Sequence, residues 1–312
     1  MTGHHHDHRH GHGHDHAHGH DHAPSVTEGN ERRIRFVFFL TFGYALVQAA
    51  GGWLSGSLAL IADSGHMLSD AAALLLALVA YRIARRPPDG TRTYGFHRVR
   101  VLAALANGAT LLLLVAWIAW EAIQRFSAPM EVLAGPMLAV AVVGVLVNVA
   151  GAWVLWSGHR GDGNLRGALL HVLGDLLGSV GAIAAAVGIM LTGWNVLDPI
   201  LSVLVAMLVV RSAWRLVAES IRVLLQAVPQ GVDAVEAERG LAALPEIAGA
   251  GHFHAWTLTD ERAIATVHAR PARGVDPLAL PPLVAAWLKE RYAIDHVTVQ
   301  VDPPGALASR HC

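Results

Sequence analysis

Two short stretches carry an ionisable pair where the surrounding chain is apolar. In DSGHMLSD, His66 and Asp70 stand four residues apart, and in HVLGD, His171 and Asp175 repeat the spacing. Residues four apart on a helix share a face, so each stretch would present one imidazole and one carboxylate together. Two such helices side by side offer two nitrogens and two carboxylate oxygens, and Zn2+ takes four ligands of these kinds in a tetrahedron. A lone histidine in an apolar helix is more often a hydrogen-bonded packing residue than a ligand. An aspartate, however, costs at least about 2.5–3.5 kcal/mol at the centre of a membrane span. Two of them, each paired with a histidine, point to a functional site. Asp63, near the outer end of the same block as His66, could cap a turn or line an entrance.

The elements that must position these pairs follow from composition. The chain has 312 residues, 54% hydrophobic and 15% charged, whereas a soluble protein carries about a quarter charged residues. The apolar residues gather in six blocks, near 34–55, 58–82, 99–122, 132–156, 165–191 and 198–217. Each is long enough to approach or span a hydrocarbon core of about 30 Å. The expected fold is therefore an all-α six-helix transmembrane domain over residues 31–219. At the start of the sixth block, Asp198 is placed to cap the helix and Pro199 fits its first turn. Gly167, Gly174, Gly178, Gly181 and Gly188 surround the second pair and would let two helices approach closely. The only cysteine is Cys312, so no intramolecular disulfide and no cysteine-based zinc module is expected.

Loop charge sets the orientation. Arg82, Arg85, Arg86, Arg92, Arg98 and Arg100 follow the second block, and Arg160 and Arg166 follow the fourth. Arg32, Arg33 and Arg35 precede the first block, Arg211 and Arg215 end the sixth, and the opposite loops hold Arg125 alone. The excess of arginine places both termini in the cytoplasm. Residues 4–22 contain eleven histidines interleaved with Asp and Gly. No core can form from that composition, so residues 1–30 are expected to be a disordered metal-collecting arm. The first block is expected to be a true span, with no signal peptide before it. Residues 220–304 alternate differently: helix, two strands, helix, strand, with Val297, Val299 and Val301 on one face of the last. A small α+β cytoplasmic domain is expected there, followed by a disordered end at 305–312.

At these residues the chain closely resembles the cation diffusion facilitator family, especially its bacterial zinc-exporting members. The carrying stretches are SLALIADSGHMLSDA, TYGFHRVRVLAALANG, RGALLHVLGDLLGSVGAI, DPILS and HVTVQVD. The resemblance implies that His66, Asp70, His171 and Asp175 form the transport site. It also implies a homodimer, a ferredoxin-like cytoplasmic domain, a bacterial inner-membrane location and exchange of cytoplasmic metal for protons. His268 and Asp302 fall where the family places a cytoplasmic metal site, and His252 and His254 could add ligands. Zn2+ is thus implied as transported substrate and as regulatory ligand, with Cd2+, Co2+ and Ni2+ as alternative cargo. Arg92 stands where some relatives carry a metal-binding histidine. Only Asp89 and His97 remain there, so no loop site is expected.

The pairs also suit proton coupling. Zinc needs neutral imidazoles and ionised carboxylates, and a histidine titrating near pH 6.5 lets protons compete. A membrane metalloprotease would need HExxH, which is absent, and a closed four-ligand site leaves no open position for an enzyme's substrate. A membrane metal sensor would leave the two intramembrane pairs without a purpose.

Overall fold

The computed structural model describes residues 28–156, 163–259 and 262–303. The His-rich arm, Arg160, the side chains of Arg32's predecessors and of residues 163–167, and the C-terminal end lie outside the described residues. Among the described residues, six helices are long and apolar enough to cross a membrane: α1 (Glu28–Ser55), α2 (Leu58–Ala84), α3 (Val99–Ser127), α4 (Ala134–Trp156), α5 (Gly163–Thr192) and α6 (Leu197–Leu224). They coincide with the six apolar blocks, and α3 and α6 run on beyond the block ends expected from hydropathy. Their outward surfaces are apolar: Trp53, Leu113, Trp153, Leu191 and Leu208 are all exposed. Lipid tails are as apolar as leucine, so burying such side chains gains little, and association rests on packing and polar contacts inside the bundle.

α4 packs on α5 and α1, α1 on α2, and α3 on α2 and α6, with α6 closing against α5. α2 and α5 meet at few points. The loop between α2 and α3 and the C-terminal domain share one end of the bundle, called here the tail side. The α1–α2, α3–α4 and α5–α6 connections share the other, the far side.

A buried polar knot closes the far side. The turn into α2 passes through Gly56, whose φ of 71° suits a residue without Cβ. Ser57 then caps α2, accepting from Leu60 N at 3.2 Å. The expectation that Asp198 caps α6 is corrected: Val196 holds that N-cap position. The fully buried Asp198 carboxylate instead caps α2 from across the bundle, accepting from Ser57 Oγ (2.6 Å), Leu58 N (2.8 Å) and Ala59 N (3.2 Å). Pro199 does sit in the first turn of α6, as expected. Arg125, expected to be a loop charge, lies in the last turn of α3 and is buried. It donates to Gly56 O (2.6 Å) and Glu121 (3.1 Å) and stands 3.4 Å from Asp198.

Removing one partner of a buried pair strands the other, at about 3–5 kcal/mol. Asp198→Ala is therefore expected to lower the thermal midpoint of the detergent-solubilised protein sharply, while Ser57→Ala costs about 1 kcal/mol, the worth of a cap. Equal midpoints for Asp198→Ala and wild type would contradict this knot.

The C-terminal domain is α7 (Ala234–Ala242), β1 (Ile247–Thr259), β2 (Arg262–Pro271), α8 (Leu280–Tyr292) and β3 (His296–Val301). Asp233 caps α7 through Val235 N and Glu236 N, and Pro281 and Pro282 occupy the first turn of α8, where a missing N–H matters least. β2 is central, antiparallel to β1 and parallel to β3. Ala237, Leu241, Leu280, Val284 and Leu288 from the two helices pack with Phe253, Ala255, Ala265, Val267 and Ala269 from the sheet in one core. This is the small α+β domain that the strand alternation predicts.

Candidate metal centre

α2 and α5 run in opposite directions, so the two His-x3-Asp steps, each about 6 Å along its helix, are reversed with respect to one another. His171 consequently lies beside Asp70. The Asp70 Oδ2 atom stands 3.3 Å from His171 Nε2 and 3.5 Å from His66 Nε2. On α5, His171 Nε2 is 3.7 Å from Asp175 Oδ2. Ligand atoms of His66, His171 and Asp175 all lie within 4.8 Å of one another, and the two imidazole rings meet edge to face at 5.9 Å. A tetrahedron with metal–ligand bonds of about 2.0–2.1 Å has edges of about 3.3 Å. The three nitrogen–carboxylate separations of 3.3, 3.5 and 3.7 Å are close to those edges, whereas the group of His66, His171 and Asp175 is looser, within 4.8 Å.

The donor chemistry also suits a cation. Asp70 Oδ2 and His66 Nδ1 are buried without a hydrogen-bond partner among the described residues. Asp175 is buried, whereas His171 is nearly half exposed, so the set is reachable. Two cavities adjoin it. One of about 570 Å3, between α2, α5 and α6, is lined by Asp63, His66, His171 and Asp175. Another of about 220 Å3, bounded by α1, α2 and α5 with Leu155 of α4, is lined by Asp70 and His171. His171 belongs to both.

Among the described glycines expected to let helices approach closely, one brings α2 and α5 together. A Cβ at Gly178 would stand 3.2 Å from Asp63 Oδ1. Gly181 and Gly188 instead face Leu201 and Leu197 of α6, and Gly174 faces open space. Asp63 caps no helix, but it lies near the far-side end of α2 and lines the larger cavity. It is buried in the second turn of α2, accepting from Gln48 Nε2 at 2.6 Å. Gln48, Tyr44, Asn148 and Ser179, all buried polar residues of the spans, escaped the sequence reading. Their signal was present: each interrupts an otherwise apolar block.

In the C-terminal domain, His268 Nδ1 is 3.3 Å from Asp302 Oδ2, and the centroid of the His252 ring lies 4.9 Å from that of His268, the rings tilted by 35°. His254 stands further off, 6.1 Å from His252 between ring centroids. A bulge does this work: between the pairs Gly251–His268 and His254–Thr266, β1 spends three steps against two on β2. His252 takes the left-handed φ of 52° there, and Glu238 of α7 accepts the Phe253 N–H at 2.9 Å. Gln300 donates to Asp302 at 3.1 Å.

The α2–α3 loop uses Asp89 for its own turn. Its Oδ1 accepts from the Thr91 hydroxyl and amide and from Arg92 N, and Oδ2 from Arg92 Nη1. These bonds, the Thr91 hydroxyl's first, hold its pKa down to about 2. Such a carboxylate steadies the turn above its ordinary value near pH 4, and the effect fades as pH falls towards 2. His97 lines a cavity with Asp295 and His296 instead.

The family described as "Cation efflux transmembrane domain" matches residues 34–225. The zinc transporter ZitB of Escherichia coli (strain K12) is 45% identical over 277 residues, covering 88% of each chain. The cadmium, cobalt and zinc/H(+)-K(+) antiporter of Bacillus subtilis (strain 168) is 39% identical, covering 88% of this chain and 90% of its own. A solved structure, the metal-bound C-terminal domain of the CzcD transporter from Cuprividus metallidurans, aligns at 32% identity and a TM-score of 0.22, over 23% of this chain and 99% of that one.

Proposed function

The chain belongs to the cation efflux family, and on that premise we propose that it exports Zn2+ from the cytoplasm in exchange for protons, through a site made of His66, Asp70, His171 and Asp175. Metal cation efflux and a multi-pass place in a lipid bilayer come with the family. Zinc is favoured by a set of two nitrogens and two carboxylates in which three nitrogen–oxygen separations lie at 3.3–3.7 Å. The observation that carries the reading is Asp70 Oδ2, buried, without a hydrogen bond and within 3.5 Å of both imidazoles.

In this reading the arginine-rich tail side faces the cytoplasm, the membrane is the bacterial inner membrane, and the working unit is a homodimer. His171, shared by both cavities, is where alternating access would pass the ion from one side to the other. Zinc loads onto neutral imidazoles and ionised carboxylates and displaces protons; on the outer side protons return and the metal leaves. Moving two charges outward against 100 mV costs about 4.6 kcal/mol, and each entering proton returns about 2.3. Two protons per zinc would cancel the membrane potential. Cd2+ and Co2+, named for the Bacillus subtilis relative, are alternative cargo for the same site. His268, Asp302, His252 and His254 are assigned to a regulatory metal site in the tail.

The test is flux in proteoliposomes carrying a luminal pH dye. Zinc moving one way should drive a pH change that reports protons moving the other, and zinc flux with a constant luminal pH would remove the exchange. In the same assay His268→Ala should shift the zinc dependence of the rate and leave the saturated rate alone. An unaltered zinc dependence would remove the tail site.

A further inference from the structure

Polar residues that the transport reading leaves unused collect one turn to the far side of the four-residue site. Asp63 precedes His66 by three residues on α2, and Gly178 follows Asp175 by three on α5. The helices are antiparallel, so both steps lead the same way, by about 4.5 Å. Asp63 lines the 570 Å3 cleft together with His66, His171 and Asp175, so an ion leaving the four residues towards the far side meets it next. Gln48 of α1, 1% exposed, donates Nε2 to Asp63 Oδ2 at 2.6 Å. That bond leaves Oδ1 turned towards Gly178, where the missing side chain makes room for it. Gln48 Oε1 is itself buried and has no hydrogen-bond partner among the described residues. A second such acceptor, Asn148 Oδ1, belongs to a side chain that donates to Ser179, the residue after Gly178.

Buried acceptor oxygens without donors are rare in folded proteins. A carboxylate on the wall of the cleft, bonded to a buried amide whose own oxygen has no donor, is suited to a cation. We propose that Asp63 and Gln48 form an oxygen-only station for the transported divalent cation, one turn beyond the four-residue site, through which the ion leaves. The inference rests on the transport reading above. Its chemistry differs from that of the four-residue site: hard oxygen without imidazole holds Zn2+ less firmly than a mixed nitrogen and carboxylate set. An ion that has been displaced by protons at the histidines thus finds counter-charge outward without being trapped.

The competing account is that the Gln48–Asp63 hydrogen bond only staples α1 to α2. Asp63→Asn separates the two, since it keeps shape and hydrogen bonding but removes the charge. With full-length protein in proteoliposomes and Zn2+ as probe, turnover should fall about tenfold or more, the scale of one lost charged contact, with the half-saturating Zn2+ concentration unchanged. The zinc equivalent that Asp70→Ala removes should still bind. Wild-type turnover in Asp63→Asn would leave only the staple and overturn the station. Loss of that zinc equivalent would also overturn it, making Asp63 a positioning residue for the four. A binding measurement covers the case in which Asp63→Asn alone fails to insert. Protein carrying Asp70→Ala and Asp175→Ala should retain an Mn2+ equivalent that Gln48→Met weakens, and equal Mn2+ binding with and without Gln48→Met would count against the station. Failure of the underlying transport reading shows separately, as wild-type flux in Asp70→Ala.

Discussion

Asp70→Ala and Asp175→Ala are each expected to abolish Zn2+ transport while leaving insertion and assembly intact. Asp70 Oδ2 stands 3.5 and 3.3 Å from the two imidazoles, one on each helix, so its loss removes the carboxylate that faces both of them. Asp175 is the most deeply buried of the four, its side chain 6% exposed, and water replaces it poorly. Losing a merely supporting partner costs a metal site about 10–100-fold, and losing a direct ligand should exceed that. Insertion should not suffer, because alanine removes a charge that the bilayer penalises. Flux in proteoliposomes at matched protein content, with size-exclusion profiles alongside, measures both halves. Transport at the wild-type rate by either variant would sink the four-residue site.

His66→Asp should change which ion is carried and at what pH. The substitution turns a set of two nitrogens and two carboxylates into one nitrogen and three carboxylates. Harder and larger ions, Mn2+ and Cd2+, then gain relative to Zn2+, because the ligand type rather than raw affinity separates these metals. The proton competition moves as well. Carboxylates ordinarily titrate about two units below histidine, so export should persist to lower pH on the loading side and respond less to protons on the release side. Competitive transport of Zn2+ against Cd2+ across pH, wild type beside variant, reads both effects. An unchanged metal ratio and an unchanged pH profile would show that the His66 ring is no ligand.

Much of this was legible in the chain itself, because a bilayer imposes simple rules. A span must be helical and about 20 apolar residues long, so six apolar blocks became six helices, although α1 begins before its block and α3 and α6 run on past theirs. Anything ionisable inside such a block is expensive, and the duplicated His-x3-Asp spacing on two blocks picked out the face and the four residues of the proposed site. The tail domain was equally open: the alternation of HVTVQVD and the prolines of DPLALPPL fixed a strand and a helix start by local chemistry.

What local spacing could not settle was everything decided across helices. Asp198 carries an N-cap signal for its own helix, yet its carboxylate serves α2, since the free amides nearest to it in space belong to a turn more than a hundred residues away in sequence. Arg125 looks like a loop charge and is a buried partner of that knot. The five glycines near His171 form one small-residue stripe on paper. In the bundle one of them admits Asp63 and two seat leucines of α6, because which neighbour a helix face meets depends on rotation and crossing, which no single span encodes. The residues that could do the chemistry, their spacing and their common depth in the membrane were determined by sequence alone. That His171 stands next to Asp70, that Asp63 on the cleft accepts from Gln48, and that a bulge brings His252 near His268 were decided only by tertiary structure. Each of these depends on two elements being brought within about 3–5 Å, a distance set by the packing of whole helices and strands and not by the residues between.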